Sequence, residues 1–167
     1  MESAREGLLR INPDVDVRMV AQRVGDAELD ALVAAADVVL DCCDNFATRH
    51  AVNRACLAHR KPLVSGAALR FDGQVSVFDL RDADAPCYGC LFPPSEPAPE
   101  AACATMGVFA PLVGMVGTVQ AAEALKLLTG VGQTLAGRLL MVNAMSMEWT
   151  TMRLARTPAC EVCGGHH

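Results

Sequence analysis

The order of apolar and polar positions along the chain predicts an α/β fold. Val38-Val39-Leu40 is a continuous apolar run closed by Asp41, which is typical of a buried strand covered by helices on both faces of a parallel sheet. Residues 15–19 alternate apolar with polar positions, a pattern that predicts another strand. Residues 2–10 and 46–59 have the composition and spacing of helices.

The second half of the chain predicts an antiparallel part of the sheet. Residues 62–69 and 74–80 are apolar, and the Asp72-Gly73 pair between them predicts a hairpin turn. Two further strands are predicted at residues 137–142 and 148–154. We therefore expect a Rossmann-like sheet that is parallel first and antiparallel afterwards, with helices on both faces.

Residues 109–128 form the most apolar segment, and they are long enough to raise the question of a membrane span. Gln120, Glu123 and Lys126 recur at intervals of three, which predicts a polar stripe on one side of an otherwise buried helix. Gly114 and Gly117 would allow close approach of another element or subunit, but ordinary core packing is the favoured explanation. We expect no membrane insertion.

Composition narrows the class of protein. The chain of 167 residues is 52% hydrophobic and 20% charged, which suits one domain over residues 1–167. Its net charge is -5 and its lysines and arginines are scattered, so nucleic acid is not an expected partner. No signal sequence is recognisable, and a cytoplasmic location is expected.

Two Cys-x-x-Cys pairs give the strongest chemical signal. Cys87 and Cys90 lie in a segment rich in proline, alanine and aspartate, and Cys160 and Cys163 lie near the C-terminus. Two such pairs supply the four thiolates of a closed tetrahedral zinc site. We interpret them as a structural Zn²⁺ site that joins the loop at residues 81–100 to the C-terminal tail; disulfides or a redox pair are the alternatives.

Polar residues follow the first buried strand directly. Asp41, Asp44 and Asn45 stand at its carboxyl end, where open α/β sheets bind ligands. Asp44 suits a magnesium ligand or a contact to a bound nucleotide. The alternative is that Asp44 or Asn45 only caps the following helix.

The remaining cysteines have weaker signals. Cys103 belongs to neither pair and precedes the apolar helix; it is a candidate nucleophile or persulfide carrier, with an ordinary loop thiol as the alternative. Cys42, Cys43 and Cys56 are expected to be small buried side chains.

Taken together, these motifs resemble the E1-like (ThiF/MoeB/HesA) adenylyltransferase family, and within it the molybdopterin-synthase branch most closely. The resemblance is carried by Glu2-Ser-Ala-Arg5, Ile11-Asn-Pro13, Asp41-Cys-Cys-Asp-Asn45 with Arg49 and Asn53, Pro62-Leu-Val-Ser-Gly-Ala-Ala68, Gly73-Gln74-Val75, Ala110-Pro-Leu-Val-Gly114 and the two cysteine pairs, the second followed by Gly164.

The resemblance implies ATP-dependent activation of a small ubiquitin-like sulfur carrier protein that ends in Gly-Gly, in molybdenum cofactor or thiamine biosynthesis. Asp44 would then serve Mg²⁺ and ATP with Asn45 beside it, and Cys103 would match a loop cysteine that forms a thioester or persulfide in some members. A homodimer and a sulfurtransferase partner are also implied, with the apolar helix as a plausible dimer surface.

One feature departs from the family pattern. Members carry a G-x-G-G-x-G loop on a first strand, whereas this sequence begins at Met1-Glu2-Ser3 and contains neither G-x-G-x-x-G nor the P-loop pattern. We expect it to be the C-terminal part of an adenylyltransferase whose parallel sheet has an uncovered edge. A non-catalytic, zinc-stabilised carrier-binding module is the alternative function, and a nicotinamide-dependent oxidoreductase a more remote one.

Overall fold

The computed structural model describes residues 1–95 and 106–164. The described helices are α1 (Glu2–Ile11), α2 (Asp26–Ala35), α3 (Phe46–Ala58), α4 (Tyr88–Leu91) and α5 (Ala110–Thr129). The described strands are β1 (Val39–Asp41), β2 (Pro62–Leu69), β3 (Asp72–Asp79), β4 (Arg138–Asn143) and β5 (Glu148–Arg153).

The strands form one sheet in the order β1-β2-β3-β4-β5. β1 pairs with β2 in parallel, and the other three pairings are antiparallel. This arrangement confirms the predicted change from parallel to antiparallel pairing. In the parallel pair Asp41 lies opposite Ser65, which brings a carboxylate and a hydroxyl together at the carboxyl end of β1.

Successive residues of the sheet enter two different cores. Leu63 and Phe78 pack with α2, α3 and the cysteine pairs on one face. Val64 and Val77 pack with α5 on the other face. The one-residue offset follows from the alternation of side chains along a strand, so helices do cover both faces, as predicted.

One sequence expectation about the first strands is confirmed and one is wrong. β1 is the edge strand of the described sheet, in agreement with the expected uncovered edge, and its Leu40 is 40% exposed. Residues 15–19 form no strand, although their alternation predicts one. The alternation alone does not make a strand, because the backbone of this segment pairs with no described strand and Val15 and Met19 are exposed.

The hairpin between β2 and β3 turns two residues earlier than predicted. Arg70 and Phe71 connect the strands, and Arg70 has a φ of 52°. Gly73 lies inside β3, where a Cβ atom would come within 2.9 Å of Leu112, Val116 and Val142. The glycine therefore permits close packing of α5 on the sheet instead of making the turn.

Helix α5 has the opposite orientation to the one that its polar stripe predicts. Gln120 and Glu123 face the sheet and are 2% and 4% exposed, whereas Leu125 and Leu128 point outward and are 62% and 55% exposed. The helix has the length and apolar composition of a membrane span, but it packs on β2 and β3 through its buried face. Its termini agree with the sequence, with Pro111 in the first turn and a left-handed Gly130 at the C-cap.

Candidate functional site

A cleft of about 780 Å³ opens at the carboxyl ends of β1 and β2. The turn after β1, the second half of β2 and the first half of α5 line it, together with parts of β3, β4 and β5. Its volume suits a small-molecule ligand, and its place relative to the parallel strands is where open α/β sheets bind ligands. Asp44 and Asn45 line the cleft, whereas Asp41 is buried beneath it.

Asp41 belongs to a buried polar network below the cleft. Its Oδ2 accepts hydrogen bonds from Arg49 Nη1 at 2.9 Å and from Ser65 Oγ at 3.2 Å, and its Oδ1 accepts one from the Cys43 amide at 2.9 Å. Arg49 Nη2 donates to the carbonyls of Gly66, at 2.9 Å, and of Cys43. The guanidinium on α3 therefore joins the turn after β1 to strand β2.

Gln120 approaches the same strands from the opposite helix. Its Nε2 donates to the Asp41 carbonyl at 2.9 Å and to the Val64 carbonyl at 3.2 Å. Its Oε1 accepts from Cys42 Sγ at 3.6 Å. A Cβ atom on Gly66 would lie 2.3 Å from the Gln120 carboxamide, so the glycine leaves the space that this side chain occupies.

The two predicted ligand-binding residues differ in how much of each side chain is available. The Asp44 carboxylate is exposed and makes no hydrogen bond or ion pair with any described residue, which leaves both oxygens for a ligand. Asn45 is the N-cap of α3, and its Oδ1 accepts from the Thr48 amide at 2.8 Å. The capping interpretation is confirmed for Asn45, whose carboxamide nitrogen alone remains to contact a ligand.

The cysteines outside the two pairs have different environments. Cys42 is exposed and Cys43 is half-buried, and both line the cleft. The expectation of burial is therefore wrong for Cys42, whereas it holds for Cys56, which is buried. Burial raises the pKa of Cys43 to about 12, and the neighbouring Asp41 acts in the same direction. These thiols are therefore protonated near neutral pH. Cys103 lies outside the described residues, and its role stays a prediction.

The four cysteines of the two pairs meet in one cluster, as predicted. Their sulfur atoms all lie within 4.8 Å of one another, with separations of 3.4 Å between Cys90 and Cys163 and 3.8 Å between Cys87 and Cys160. Tetrahedral zinc with bonds of about 2.3 Å places thiolates roughly 3.8 Å apart, whereas a disulfide requires about 2.05 Å. The spacing fits a metal ion and excludes a disulfide in this state.

The pKa values of the clustered thiols show that their ionisation together needs a nearby positive charge. Burial raises the pKa of Cys87 and of Cys90, and the neighbouring thiols of the cluster act in the same direction on Cys87. Burial opposes ionisation of Cys160 as well, but amide hydrogen bonds from Cys163 and Val162 lower its pKa to about 7. Four clustered thiolates, three of them on buried residues, need a counter-charge, which a soft divalent metal would supply.

The cysteine cluster is connected to the cleft through α3. Tyr88, between the first two cysteines, donates its amide to Asn53 Oδ1 at 3.0 Å, and Asn53 is fully buried. The Tyr88 ring lies 5.4 Å from the ring of His50, which stacks at 6.5 Å on Phe46 in the cleft wall. The cluster thus supports the same helix whose N-terminus borders the cleft.

These features agree with the comparison of the whole sequence. The ThiF family matches residues 1–162. The chain belongs to the ThiF family. A molybdopterin-synthase adenylyltransferase of Escherichia coli K12 is 48% identical over 166 residues, which is 98% of this chain and 65% of that protein. A sulfur carrier protein ThiS adenylyltransferase of the same strain is 43% identical over 97% of this chain and 63% of that protein.

The fold has solved counterparts. The crystal structure of E. coli MccB covers 99% of this chain with a TM-score of 0.78 at 17% identity, over 50% of its own length. At this identity the likeness concerns the fold alone. The chain spans about 65% of the length of these molybdopterin-synthase adenylyltransferase relatives.

Sequence reasoning missed two residues of the site. Arg49 stands in a motif that carries the family resemblance, yet nothing in its spacing shows that four acceptors surround it. Gln120 was assigned to an exposed stripe, although a lone carboxamide in an apolar helix is also the signal of a buried, fully bonded side chain.

Proposed function

We propose that this chain takes part in the ATP-dependent adenylylation of the C-terminal glycine of a ubiquitin-like sulfur carrier protein. The observation that carries the proposal is the exposed Asp44 carboxylate, with no described partner, in a cleft of about 780 Å³ at the carboxyl edge of the parallel strands. The named activities of the relatives that are 43% and 48% identical support the same reaction.

The reaction places two anions next to each other. The carboxylate of the carrier's terminal glycine attacks the α-phosphorus of ATP, and the bond to the β-phosphate oxygen breaks, which yields an acyl-adenylate and pyrophosphate. The activated carboxyl then receives sulfur from a sulfurtransferase and releases AMP. Such a reaction gains most from holding the reactants in line and from offsetting their charge.

Described residues of the cleft fit both of these tasks. Asp44 would hold Mg²⁺, which offsets phosphate charge when bound, and the carboxamide nitrogen of Asn45 would contact the nucleotide. The apolar wall formed by Val113, Val116 and Gly117 on α5 suits an extended Gly-Gly tail, because glycine has no side chain to clash with it. Cys87, Cys90, Cys160 and Cys163 would hold Zn²⁺ in a closed, structural site.

We also propose a cytoplasmic homodimer that uses α5. The outward side of this helix carries the exposed Leu125 and Leu128, and Gly114 near its start has no atoms within 4 Å of an added Cβ. Exposed leucines together with an open glycine on one helix permit packing of a second helix. Sedimentation equilibrium of the wild type and of Leu125→Glu tests this association; an unchanged mass in the variant contradicts it.

The test of the proposed reaction is carrier-dependent exchange of labelled pyrophosphate into ATP, measured after the zinc content has been verified. Exchange should require both Mg²⁺ and a carrier ending in Gly-Gly. Asp44→Asn should lower it by about 100-fold or more, because an electrostatic contact to the reacting groups is lost. Asp72→Asn is the matched control, since Asp72 lines the same cleft but its carboxylate is bonded to Asn143 at 3.0 Å.

A second candidate is a zinc-stabilised module that binds the carrier without adenylating it. The observation that favours it is the lack of a glycine-rich phosphate-binding pattern in this sequence. Carrier binding without exchange would support this candidate. Exchange by the 167-residue chain alone would exclude it, and the absence of both binding and exchange would contradict both candidates.

A further inference from the structure

We propose that Gln120 is a positioning residue that holds the carboxyl end of β1, and with it the turn that carries Asp44, in place beside the cleft. Its carboxamide is the point at which α5 contacts the backbone of both parallel strands, through the carbonyls of Asp41 at 2.9 Å and Val64 at 3.2 Å. Asp44 follows Asp41 by three residues, so the position of the Asp41 carbonyl limits where the turn can lie.

The choice of a carboxamide at this position has no explanation in packing alone. Gln120 is 2% exposed among apolar neighbours, where leucine would bury more apolar surface and no polar group. Both hydrogens of its Nε2 have a carbonyl acceptor, and its Oε1 accepts from Cys42 Sγ at 3.6 Å. The buried amide is therefore fully bonded, and each partner belongs to β1, to the turn after it or to β2.

The neighbouring strand is adapted to this side chain. A Cβ atom on Gly66 would lie between 2.3 and 2.7 Å from three atoms of the Gln120 carboxamide. Gly66 accepts from Arg49 Nη2 at 2.9 Å, and the same nitrogen donates to the Cys43 carbonyl. Gln120 and Arg49 thus hold the carbonyls of residues 41 and 43 from opposite faces of the sheet, one from α5 and one from α3.

Gln120→Met tests the proposal, because methionine keeps the size and removes every hydrogen bond. Glu123→Met is the matched control: Glu123 lies on the same buried face of α5, is 4% exposed and accepts from the Leu135 amide at 2.7 Å, away from the cleft. The measurement is amide hydrogen exchange followed by NMR. The Cys43 amide, bonded to Asp41 Oδ1 at 2.9 Å, reports on the end of β1.

In Gln120→Met the exchange of the Cys43 amide should rise by about tenfold or more relative to amides in β3. Glu123→Met should speed exchange at Leu135 and leave Cys43 unchanged. If Gln120→Met does not fold, Gly66→Ala provides a second test, because the added methyl group pushes the Gln120 carboxamide away. It should produce the same pattern of amide exchange. Exchange that rises equally throughout the sheet, or that stays unchanged at Cys43, would overturn the proposal.

A kinetic measurement separates positioning from simple stability, and it rests on the proposed function. At equal folded concentration, Gln120→Met should lower kcat for pyrophosphate exchange by about tenfold and raise the KM for Mg²⁺, with unchanged carrier affinity. Glu123→Met should change none of these. Equal kinetic losses in the two variants would refute the positioning role of Gln120. A wild type without pyrophosphate exchange would refute the proposed function, and the hydrogen exchange of the Cys43 amide would then decide the positioning proposal.

Discussion

Replacement of Arg49 by methionine should cost far more stability than loss of an ordinary ion pair. The Arg49 and Asp41 side chains are 7% and 1% exposed, and the atoms Nη1 and Oδ2 lie 2.9 Å apart. Without the guanidinium, the buried Asp41 carboxylate keeps, among the described residues, only the Ser65 hydroxyl and the Cys43 amide as donors. Removing one partner of a buried ion pair costs about 3–5 kcal/mol of unfolding free energy.

The surface pair between Arg81 and Asp79 provides the control. It has two hydrogen bonds of 2.7 Å, but the Arg81 side chain is 52% exposed. Exposed pairs contribute about 0–1 kcal/mol, so Arg81→Met should be nearly neutral. Urea denaturation followed by circular dichroism gives both free energies. A cost below about 1 kcal/mol for Arg49→Met, or equal costs for the two variants, would refute the assignment of Arg49 as the link between the turn and β2.

A double-mutant cycle then separates the ion pair from the other bonds of Arg49. Asp41→Asn removes the negative charge and leaves the guanidinium unpaired, so it should also destabilise the fold. The double variant should lose less than the sum of the single variants, with a coupling energy above about 1 kcal/mol. Additive losses would mean that the bonds from Arg49 to the carbonyls of Cys43 and Gly66 account for its contribution.

Three further predictions concern other parts of the site. Asn45→Ala should cost about 1 kcal/mol of unfolding free energy in urea, because the Thr48 amide loses its cap, whereas Asn45→Asp should cost little. Burial lowers the pKa of His50, and the nearby Arg54 acts in the same direction. The unfolded imidazole, which titrates at about 6.5, therefore takes up its proton first, and the stability should fall as the pH decreases through that value. His50→Phe should remove this dependence of the urea midpoint on pH. Chelation of the metal should speed hydrogen exchange in α4 and residues 157–164 first, then in α3, and leave α5 on the other face protected; uniform loosening would contradict this order.

The features that the sequence predicts correctly depend on the spacing of neighbouring residues or on the backbone restrictions of a single residue. Two Cys-x-x-Cys pairs allow few arrangements other than a shared metal site, and the structure brings Cys87, Cys90, Cys160 and Cys163 together. Pro111 and Gly130 mark the ends of α5 because their backbone restrictions act at a single residue. The place of Asp44 beside a cleft follows from the rule that parallel strands present ligands at their carboxyl ends.

The features that the sequence does not predict depend on partners far along the chain. Asp41 looks like a ligand residue until Arg49 and Ser65 are seen to enclose it. Gly73 has the sequence signal of a turn, but its real constraint is the approach of α5, nearly forty residues later. The alternation of residues 15–19 fits a strand, and whether a strand forms depends on a neighbour to pair with.

Helix α5 shows why a polar stripe does not by itself identify the exposed side of a helix. The usual inference assumes that a buried polar group costs free energy, and this cost disappears when the group is fully bonded. Gln120 binds two strand carbonyls, and Glu123 binds the Leu135 amide and pairs with Lys126. Because the interior satisfies these groups, they share the buried face of α5 with Leu112, Val116 and Ala124, while Leu125 and Leu128 face outward. Helix α5 therefore combines bonded polar groups on its buried face with exposed leucines on its outer side, which is the arrangement that the proposed dimer would require.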